Sequence, residues 1–352
     1  MKNHISTFSN LMLKYLVFAL FMGFGVLLFG CKTKEDVIDP RSEYVNIPDK
    51  NFENALIKLG IDEIQDGRLQ RKKALEIDDL DVSNSSLTDS SSKISSLEGI
   101  EAFTNLWRLN FKYNLVKKVD VSKNIDLIHL ICSNNQLTDI DVSSNTSLSL
   151  FNCSRNKLTD INLKKNIALE YLYCWNNLLN ILDVSKNTRL TDLLCYGNRL
   201  TYLDFSNNYD MEELFCDGNQ LTSLNLNKNP LITRVSCSEN QLTSLIFHNY
   251  VRVKEIYCGN NKLKNIDTAN NSYLIKLWCS YNLFETLTIN KSVALKELFC
   301  HNNLLTSLDV SKNIDLEKLW CPDNNIQIIC VNASQLTRTW QKDPTATYKV
   351  CP

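Results

Sequence analysis

A strict repeat of 21 residues constrains the fold of this chain more than any other feature of its sequence. Ten cysteines, from Cys132 to Cys321, follow one another at intervals of 21 positions, and an asparagine stands three residues after each, beginning with Asn135. The same phase reaches one unit further back, where Phe111 and Asn114 occupy the two positions. Eleven units therefore keep the period without an insertion or deletion. A period of this length predicts a solenoid, in which each unit is one coil stacked on its neighbours.

Each unit contains two short segments with the apolar alternation of a β-strand. Apolar residues stand five and two positions before the cysteine, at the cysteine, and five, eight and ten positions after it. In the unit of Cys132 the last two are Ile140 and Val142, two positions apart as in a strand. Each segment ends in a turn, and the second turn also carries asparagine in most units, although Tyr250 and Ser292 interrupt that series.

The repeated asparagines have a physical reason. Where a coil turns, backbone N–H and C=O groups are left inside the protein and must find partners. An asparagine side chain offers both a donor and an acceptor. We therefore expect these amides to bridge one coil to the next in a structural role.

The pattern Leu-x-x-Leu-x-Cys-x-x-Asn-x-Leu resembles the leucine-rich repeat. The first unit with a cysteine carries it on Leu127, Leu130, Cys132, Asn135 and Leu137. The 21-residue form with cysteine in a leucine position is similar to the cysteine ladder of the bacterial internalin J-type repeat family. The resemblance covers residues 106–329. It implies a leucine-rich repeat solenoid that is mainly β, with parallel strands, about two short strands per coil and a small helical N-terminal cap.

The N-terminal residues are typical of a targeting signal. Residues 1–30 combine a polar start with an apolar run, and this run is short for a spanning helix. Cys31 follows it and resembles the lipidated cysteine of a bacterial lipoprotein, with an uncleaved signal anchor as the alternative. Residues 31–43 are polar and are expected to form a tether. This resemblance implies a lipid-anchored protein of the cell envelope, on the outer membrane and exposed at the surface.

Residues 44–105 are predicted to form an N-terminal cap, because a solenoid exposes its core at an open end. Apolar residues at helical spacing predict a helix over Asp49–Leu59. The stretches Leu80–Val82 and Ile94–Phe103 are expected to be irregular early coils that lead into the solenoid at residue 106.

The cysteines divide into a ladder, Cys132 to Cys321, and a terminal pair. The ladder position points inward, where a small apolar thiol suits a thin core. Neighbouring side chains are expected to lie parallel and about 4.8 Å apart, a direction that is awkward for the disulfide dihedral. We expect packed free thiols, with a ladder of disulfides as the alternative. Cys330 and Cys351 alone lie outside the ladder and the lipidation position, so we expect them to form a disulfide that closes a C-terminal cap over residues 330–352.

Composition and motifs give no sign of catalysis. Lys and Arg total 38 against 39 Asp and Glu, so the charge does not favour binding to nucleic acid. No histidine has a second ligand at metal spacing, no glycine-rich phosphate loop occurs, and no nucleophile stands beside a base. We predict no cofactor, no metal and no enzymatic activity. Carboxylates recur at one position of several coils and are expected to be solvated, with weak cation binding as the alternative. They are Asp141, Asp183, Asp204 and Asp309.

Aromatic residues concentrate at positions that should face outward from the first strand. The residue just before each cysteine is aromatic in six of ten units, and two further rings stand just after their cysteines. The eight predicted binding residues are Tyr173, Trp175, Tyr196, Phe215, Tyr257, Trp278, Phe299 and Trp320. The last four occupy successive coils and are called the aromatic strip, about 15 Å long at strand spacing. Such rings mark interaction sites, although they also stabilise a sheet by stacking on each other.

Charged residues two positions earlier alternate in sign, which predicts pairing across the strands. These residues are Glu213, Arg234, Glu255, Lys276, Glu297 and Lys318. The internalin-like resemblance implies a monomeric surface protein that binds a protein ligand or mediates adhesion through the aromatic face. Glycan binding and a structural role in the envelope are the alternatives.

Overall fold

The structure is a computed structural model that describes residues 43–248, 252–268 and 271–351. The predicted signal peptide, the predicted lipidation position Cys31 and the interrupting Tyr250 lie outside these residues. Within the described ranges, no helix has the length and apolar character needed to cross a membrane.

Twelve three-residue strands of the described chain form one parallel sheet, in which each coil contributes the segment that ends just before the cysteine. They are β3 (Asp79–Asp81), β4 (Arg108–Asn110), β5 (His129–Ile131), β6 (Leu150–Asn152), β7 (Tyr171–Tyr173), β8 (Asp192–Leu194), β9 (Glu213–Phe215), β11 (Arg234–Ser236), β13 (Glu255–Tyr257), β14 (Lys276–Trp278), β15 (Glu297–Phe299) and β17 (Lys318–Trp320). From β4 onward, each residue pairs with the one 21 positions away, as Leu193 does with Leu214. The predicted leucine-rich repeat solenoid is therefore confirmed.

The apolar positions of each coil meet in one continuous core. In the coil of Cys132, the side chains of Leu130 and the cysteine are fully buried, and those of Leu137, Ile140 and Val142 are buried behind them. Burying one such aliphatic side chain contributes roughly 1.5–3 kcal/mol. Because neighbouring coils repeat the same positions, leucine stacks on leucine and cysteine on cysteine along the solenoid.

The second segment of the coil forms strands in only part of the described chain. Strands β10 (Ser223–Leu226) and β12 (Ser244–Phe247) pair in parallel, and β16 (Ser307–Asp309) and β18 (Ile328–Val331) pair nearer the C terminus. In the coils of Cys132 and Cys153, the position that Ser223 occupies is taken by aspartate, which is depleted in strands. Aspartate does not account for every case, since Ile181 and Tyr202 hold the same position in coils that lack the strand. Among the described residues, the second segment is a paired strand in four coils.

The asparagine three residues after each cysteine bridges two coils. The Nδ2 atom of Asn219 donates to the backbone oxygens of Cys216 in its own coil and Cys195 in the preceding coil, both at 3.1 Å. Its Oδ1 accepts the backbone N–H of Leu200 at 3.0 Å. The same bonds recur from Asn135 to Asn324, and we call this series the asparagine ladder. The bridging role predicted for these residues is confirmed.

A left-handed residue precedes every rung of this ladder. The residue two positions after the cysteine has φ between 51° and 65°, whether it is an asparagine such as Asn134, a charged residue such as Arg155, or Gly197. Non-glycine residues rarely adopt this conformation, and here the turn is held because the following asparagine fastens it to the neighbouring coil.

The N-terminal cap contains the predicted helix and begins the sheet. Helix α1 spans Lys50–Lys58, and the side chain of Asp49 caps it by accepting from the backbone N–H groups of Asn51 and Phe52. Strands β1 (Tyr44–Asn46) and β2 (Arg68–Gln70) pair antiparallel, and a short helix α2 (Arg71–Leu75) follows.

The cap also contributes the first strand of the sheet. Leu80–Val82 was expected to belong to an irregular early coil, and β3 lies there as a strand whose Leu80 pairs with Leu109 of β4. These partners are 29 residues apart, whereas partners in the repeat are 21 residues apart. The periodic pattern therefore does not identify this first strand.

The C-terminal cap replaces the coil that would follow the last one. The carboxylate of Asp343 accepts the backbone N–H groups of Asp323 and Asn324 at 2.8 and 3.2 Å. Strand β19 (Thr347–Val350) pairs with β18, so that β16, β18 and β19 form a three-stranded sheet. Cys330 and Cys351 are bonded to each other across this pair, with their Cα atoms 5.4 Å apart.

We expect the Cys330–Cys351 disulfide to form in the isolated protein. Closing a loop of about 20 residues restricts the unfolded chain and stabilises a cap by about 3 kcal/mol in the chain-entropy model. Peptide mapping without reductant should recover one cross-linked peptide pair containing both cysteines, and this pair should separate after reduction. Recovery of both residues alkylated without any reductant would contradict the assignment.

Candidate interaction surface

The outward side of the twelve-stranded sheet, called here the sheet face, presents two side chains from each strand. Because strand residues alternate between faces, the residues one and three positions before each cysteine point outward, while the apolar residue between them is buried. Trp278 is 37% exposed and Trp320 is 46% exposed. The orientation inferred from the sequence is therefore the one that the structure has.

The rings of the aromatic strip contact each other in sequence along the sheet face. Tyr257 meets Trp278 edge to face with centroids 4.9 Å apart, and Trp278 stacks on Phe299 at 4.9 Å with an interplanar angle of 13°. Phe299 meets Trp320 edge to face at 6.0 Å. Such pairs add about 0.5–1.5 kcal/mol each beyond burial. The strip is thus internally stabilised and still exposes its two tryptophans.

Two further rings widen the strip towards the turn that follows the strands. His301 lies 5.4 Å from Trp320, and Tyr281 meets His301 edge to face at 5.1 Å. Tyr281 is 51% exposed. Neither ring was predicted from the sequence, because His301 and Tyr281 stand one and two positions after their cysteines and not before them. Trp175 and Tyr196 also follow their cysteines, so rings after the cysteine were a usable signal.

A second aromatic group lies in the middle of the chain. Trp175 stacks on Tyr196 with centroids 5.0 Å apart, and the guanidinium of Arg155 lies 4.9 Å from the Trp175 ring. Tyr173 and Phe215 are half-buried on nearby strands. Ser236, on the strand between Phe215 and Tyr257, carries no ring. The eight predicted residues therefore form two groups and not one.

The predicted pairing of alternating charges is present on the sheet face. Ion pairs join Arg234 to Glu213 at 2.8 Å, Lys276 to Glu255 at 3.1 Å, and Lys318 to Glu297 at 2.9 Å. The hydrogen bond to Glu255 raises the pKa of Lys276. These partly exposed pairs contribute little to stability, but they leave the surface beside the aromatic strip nearly neutral.

The repeated carboxylates on the other side of the coil serve the turns. Asp141 accepts the backbone N–H of Ser143 at 2.8 Å, which lowers the pKa of this aspartate. The same bond is made by the corresponding residues of other coils. They are Asp183, Asp204 and Asp309. In the part of the chain that the structure describes, no cluster of His, Cys, Asp and Glu is arranged to hold a metal ion.

The ten ladder cysteines are buried and unbonded among the described residues. Burial raises the pKa of Cys174 and of Cys258 to about 12. A thiol with so high a pKa is almost entirely protonated near neutral pH, and only the thiolate is nucleophilic. The ladder therefore behaves as a column of small apolar side chains.

Comparison with known proteins shows which solved structures resemble this one. No protein-family model matches the sequence, and no curated protein matches it either. Among solved structures, the functional domain of InlJ from Listeria monocytogenes, described as including a cysteine ladder, is 26% identical to this chain. The match covers 87% of this chain and 77% of that one, with a TM-score of 0.60. The chain has the leucine-rich repeat fold of that domain, and its column of ten cysteines is similar to the ladder described there.

Two other structures share the solenoid. The internalin inlF from Listeria monocytogenes is 19% identical over 86% of this leucine-rich repeat protein and 95% of its own chain, with a TM-score of 0.70. YopM from Yersinia enterocolitica is 20% identical over 78% of this chain and 58% of its own, with a TM-score of 0.61. At these identities the likeness is one of fold alone.

Proposed function

We propose that this leucine-rich repeat protein binds a protein partner through the aromatic strip. The observation that carries the proposal is that Trp278 and Trp320 remain exposed within a row of rings that their neighbours already hold in place. A ring fixed before binding loses little conformational freedom when a partner covers it. Tryptophan is also among the residues that dominate binding energy at protein interfaces.

The proposed setting is the bacterial surface. The resemblance of Cys31 to a lipoprotein cysteine and the likeness of the repeats to those of an internalin support a lipid-anchored adhesion protein that acts as a monomer. The polar tether predicted over residues 31–43 separates the solenoid from its anchor, so that the sheet face is accessible to an external partner.

Replacing both tryptophans is expected to abolish partner capture. Removing an interface tryptophan costs about 2 kcal/mol or more, so Trp278→Ala with Trp320→Ala should weaken binding by far more than thirtyfold. The measurement is recovery of partners from surface extracts by the immobilised wild-type and variant proteins, followed by titration of each recovered partner.

A matched control is available on the same molecule. Tyr202 and Tyr209 are 66% and 54% exposed and lie outside the twelve-stranded sheet. Tyr202→Ala with Tyr209→Ala removes two rings that are more exposed than the two tryptophans and should leave capture unchanged. Equal recovery by the wild type and the tryptophan variant would count against the aromatic strip as the binding surface. Binding on a glycan array that requires the tryptophans would assign the strip to sugars instead.

A further inference from the structure

A second series of asparagines fastens the coils to each other at their second turn. In the coil of Cys132 the residue is Asn145, whose Nδ2 donates to the backbone oxygens of Val121 at 3.0 Å and Asn124 at 2.7 Å in the preceding coil. Equivalent pairs of bonds are made by five other residues, which together with Asn145 are called here the second asparagine series. They are Asn124, Asn166, Asn187, Asn208 and Asn229.

The series is interrupted in three successive coils. Tyr250 holds the position in the coil of Cys237, and Ser292 holds it in the coil of Cys279. Asn271 stands between them and is only 2% exposed, but neither its Nδ2 nor its Oδ1 has a hydrogen-bond partner. In the six bonded members only the Oδ1 lacks a partner. Ser292 is fully buried, and its hydroxyl has no partner either.

Bonding at the second turn resumes beyond this gap. The Nδ2 of Asn313 donates to the backbone oxygens of Ile289 at 3.1 Å and Ser292 at 2.7 Å. In the C-terminal cap, the side chain of Gln335 donates to the backbone oxygen of Asn313 at 2.7 Å. The gap therefore lies inside the solenoid, with fastened coils on both sides of it.

Strand pairing on the second segment closes only part of the gap. Strands β10 and β12 join the coils of Cys216 and Cys237. In the coil of Cys258 the described second segment forms no strand, although the hydroxyl of Thr268 donates to the backbone oxygen of Thr288 at 2.7 Å. The coil of Cys258 is therefore fastened to neither neighbour by a paired second strand or by the second asparagine series.

The sheet side of the same coil is intact. Tyr257 pairs with Trp278 in the parallel register, and their rings meet with centroids 4.9 Å apart. In the asparagine ladder, Asn261 donates to the backbone oxygens of Cys237 at 3.0 Å and Cys258 at 3.1 Å. Regions with few stabilising bonds open at a lower free energy than the rest of a protein. Opening of this coil is therefore restricted to the side away from the sheet.

We propose that the coil of Cys258 is a hinge of the solenoid, at which the second segment and second turn separate from the neighbouring coils while the sheet and the asparagine ladder stay closed. The solenoid bends there between the coils fastened up to Asn229 and those fastened by Asn313. Because the contact between Tyr257 and Trp278 spans this point, bending changes the curvature of the aromatic strip. The hinge does not depend on the strip binding a partner.

Hydrogen exchange of the chain, resolved to single amides by mass spectrometry, tests the hinge. The backbone N–H of Leu274 bonds to Asn271 at 3.5 Å, and the equivalent N–H of Leu190 bonds to Asn187 at 3.0 Å in the coil of Cys174. The coil of Cys174 also lacks a second strand, but it is fastened on both sides by the second asparagine series.

The amide of Leu274 is expected to exchange at least tenfold faster than that of Leu190, after correction for intrinsic rates. Amides in strands β14 and β8, which belong to the sheet, should exchange equally slowly. Equal protection of Leu274 and Leu190 would overturn the hinge. Fast exchange in β14 would overturn it too, because the sheet would then open with the turn.

Ser292→Asn is expected to close the hinge. An Nδ2 at this position of the coil reaches the backbone oxygens 24 and 21 residues earlier, which are here those of Thr268 and Asn271. Exchange of the Leu274 amide should slow about tenfold. The matched control Ser272→Asn adds the same side chain at an exposed position beside Asn271 and should leave exchange unchanged. Slowing by both variants, or by neither, would contradict the proposal.

Asn208→Ser creates the same gap in a fastened part of the solenoid. It removes the bonds of Nδ2 to the backbone oxygens of Val184 at 3.1 Å and Asn187 at 2.8 Å. Exchange of the Leu190 amide should accelerate about tenfold. This variant tests the same contact even where Ser292→Asn does not fold. An unchanged Leu190 amide would show that the series does not hold the second turn closed, and the hinge would be ruled out.

Discussion

Ladder cysteines in the folded protein are expected to react with iodoacetamide on the order of a thousandfold more slowly than an exposed thiol at pH 8. The pKa of Cys174 and of Cys258 is about 12 because burial disfavours the thiolate. An ordinary cysteine with a pKa near 8.5 is partly ionised at pH 8, whereas a group with a pKa of 12 is ionised in about one molecule in ten thousand. Complete burial of the sulfur adds a steric barrier to the same effect.

The measurement is peptide mapping after timed alkylation of the native protein and of the protein unfolded in guanidinium without reductant. An internal reference is supplied by Thr159→Cys, which places a thiol at an exposed position of the solenoid. The native ladder should remain unmodified while the reference reacts, and unfolding should release all ten thiols together. Rapid native labelling of Cys216 would show that the coils open. Failure of the unfolded ladder to react would show disulfides between rungs.

Replacing one ladder asparagine is expected to destabilise the solenoid by about 1–3 kcal/mol. Asn219 is 8% exposed and satisfies the backbone oxygens of Cys195 and Cys216 and the N–H of Leu200. Asn219→Ala leaves these groups buried without the amide. Replacing a single core leucine with alanine costs about 2–5 kcal/mol, so one polar rung approaches the importance of one core side chain.

Chemical unfolding followed by circular dichroism measures this effect. Gln220 is the next residue and its side chain is exposed, so Gln220→Ala removes an amide of the same type that bridges no coils. This control should unfold like the wild type. An unchanged unfolding midpoint for Asn219→Ala would show that the asparagine ladder does not contribute to the stability of the solenoid.

Most of the fold was predictable because the period itself carries the geometry. Once Cys132 and Cys153 are aligned at 21 residues, the burial of Leu130, the exposure of Trp278 and the opposition of Glu297 and Lys318 follow from strand alternation.

The rest depended on local effects that break the period. Strand β3 lies outside the 21-residue phase, and Asp343 completes the last coil from a segment with no repeat. The grouping of Trp175 with Arg155 depends on side-chain directions at a turn where φ is positive. The period predicts which positions are equivalent, but it does not predict the side-chain directions at an individual turn.

The direction of the asparagine ladder has a consequence for synthesis of the chain. The backbone N–H of Leu200 is satisfied by Asn219, and that of Leu179 by Asn198, so each coil is completed by an amide that the ribosome delivers one coil later. Winding can therefore proceed from the N terminus as residues emerge, with a single incomplete coil at the growing end. Asp343 and the last strand end that process by supplying acceptors that no further coil provides.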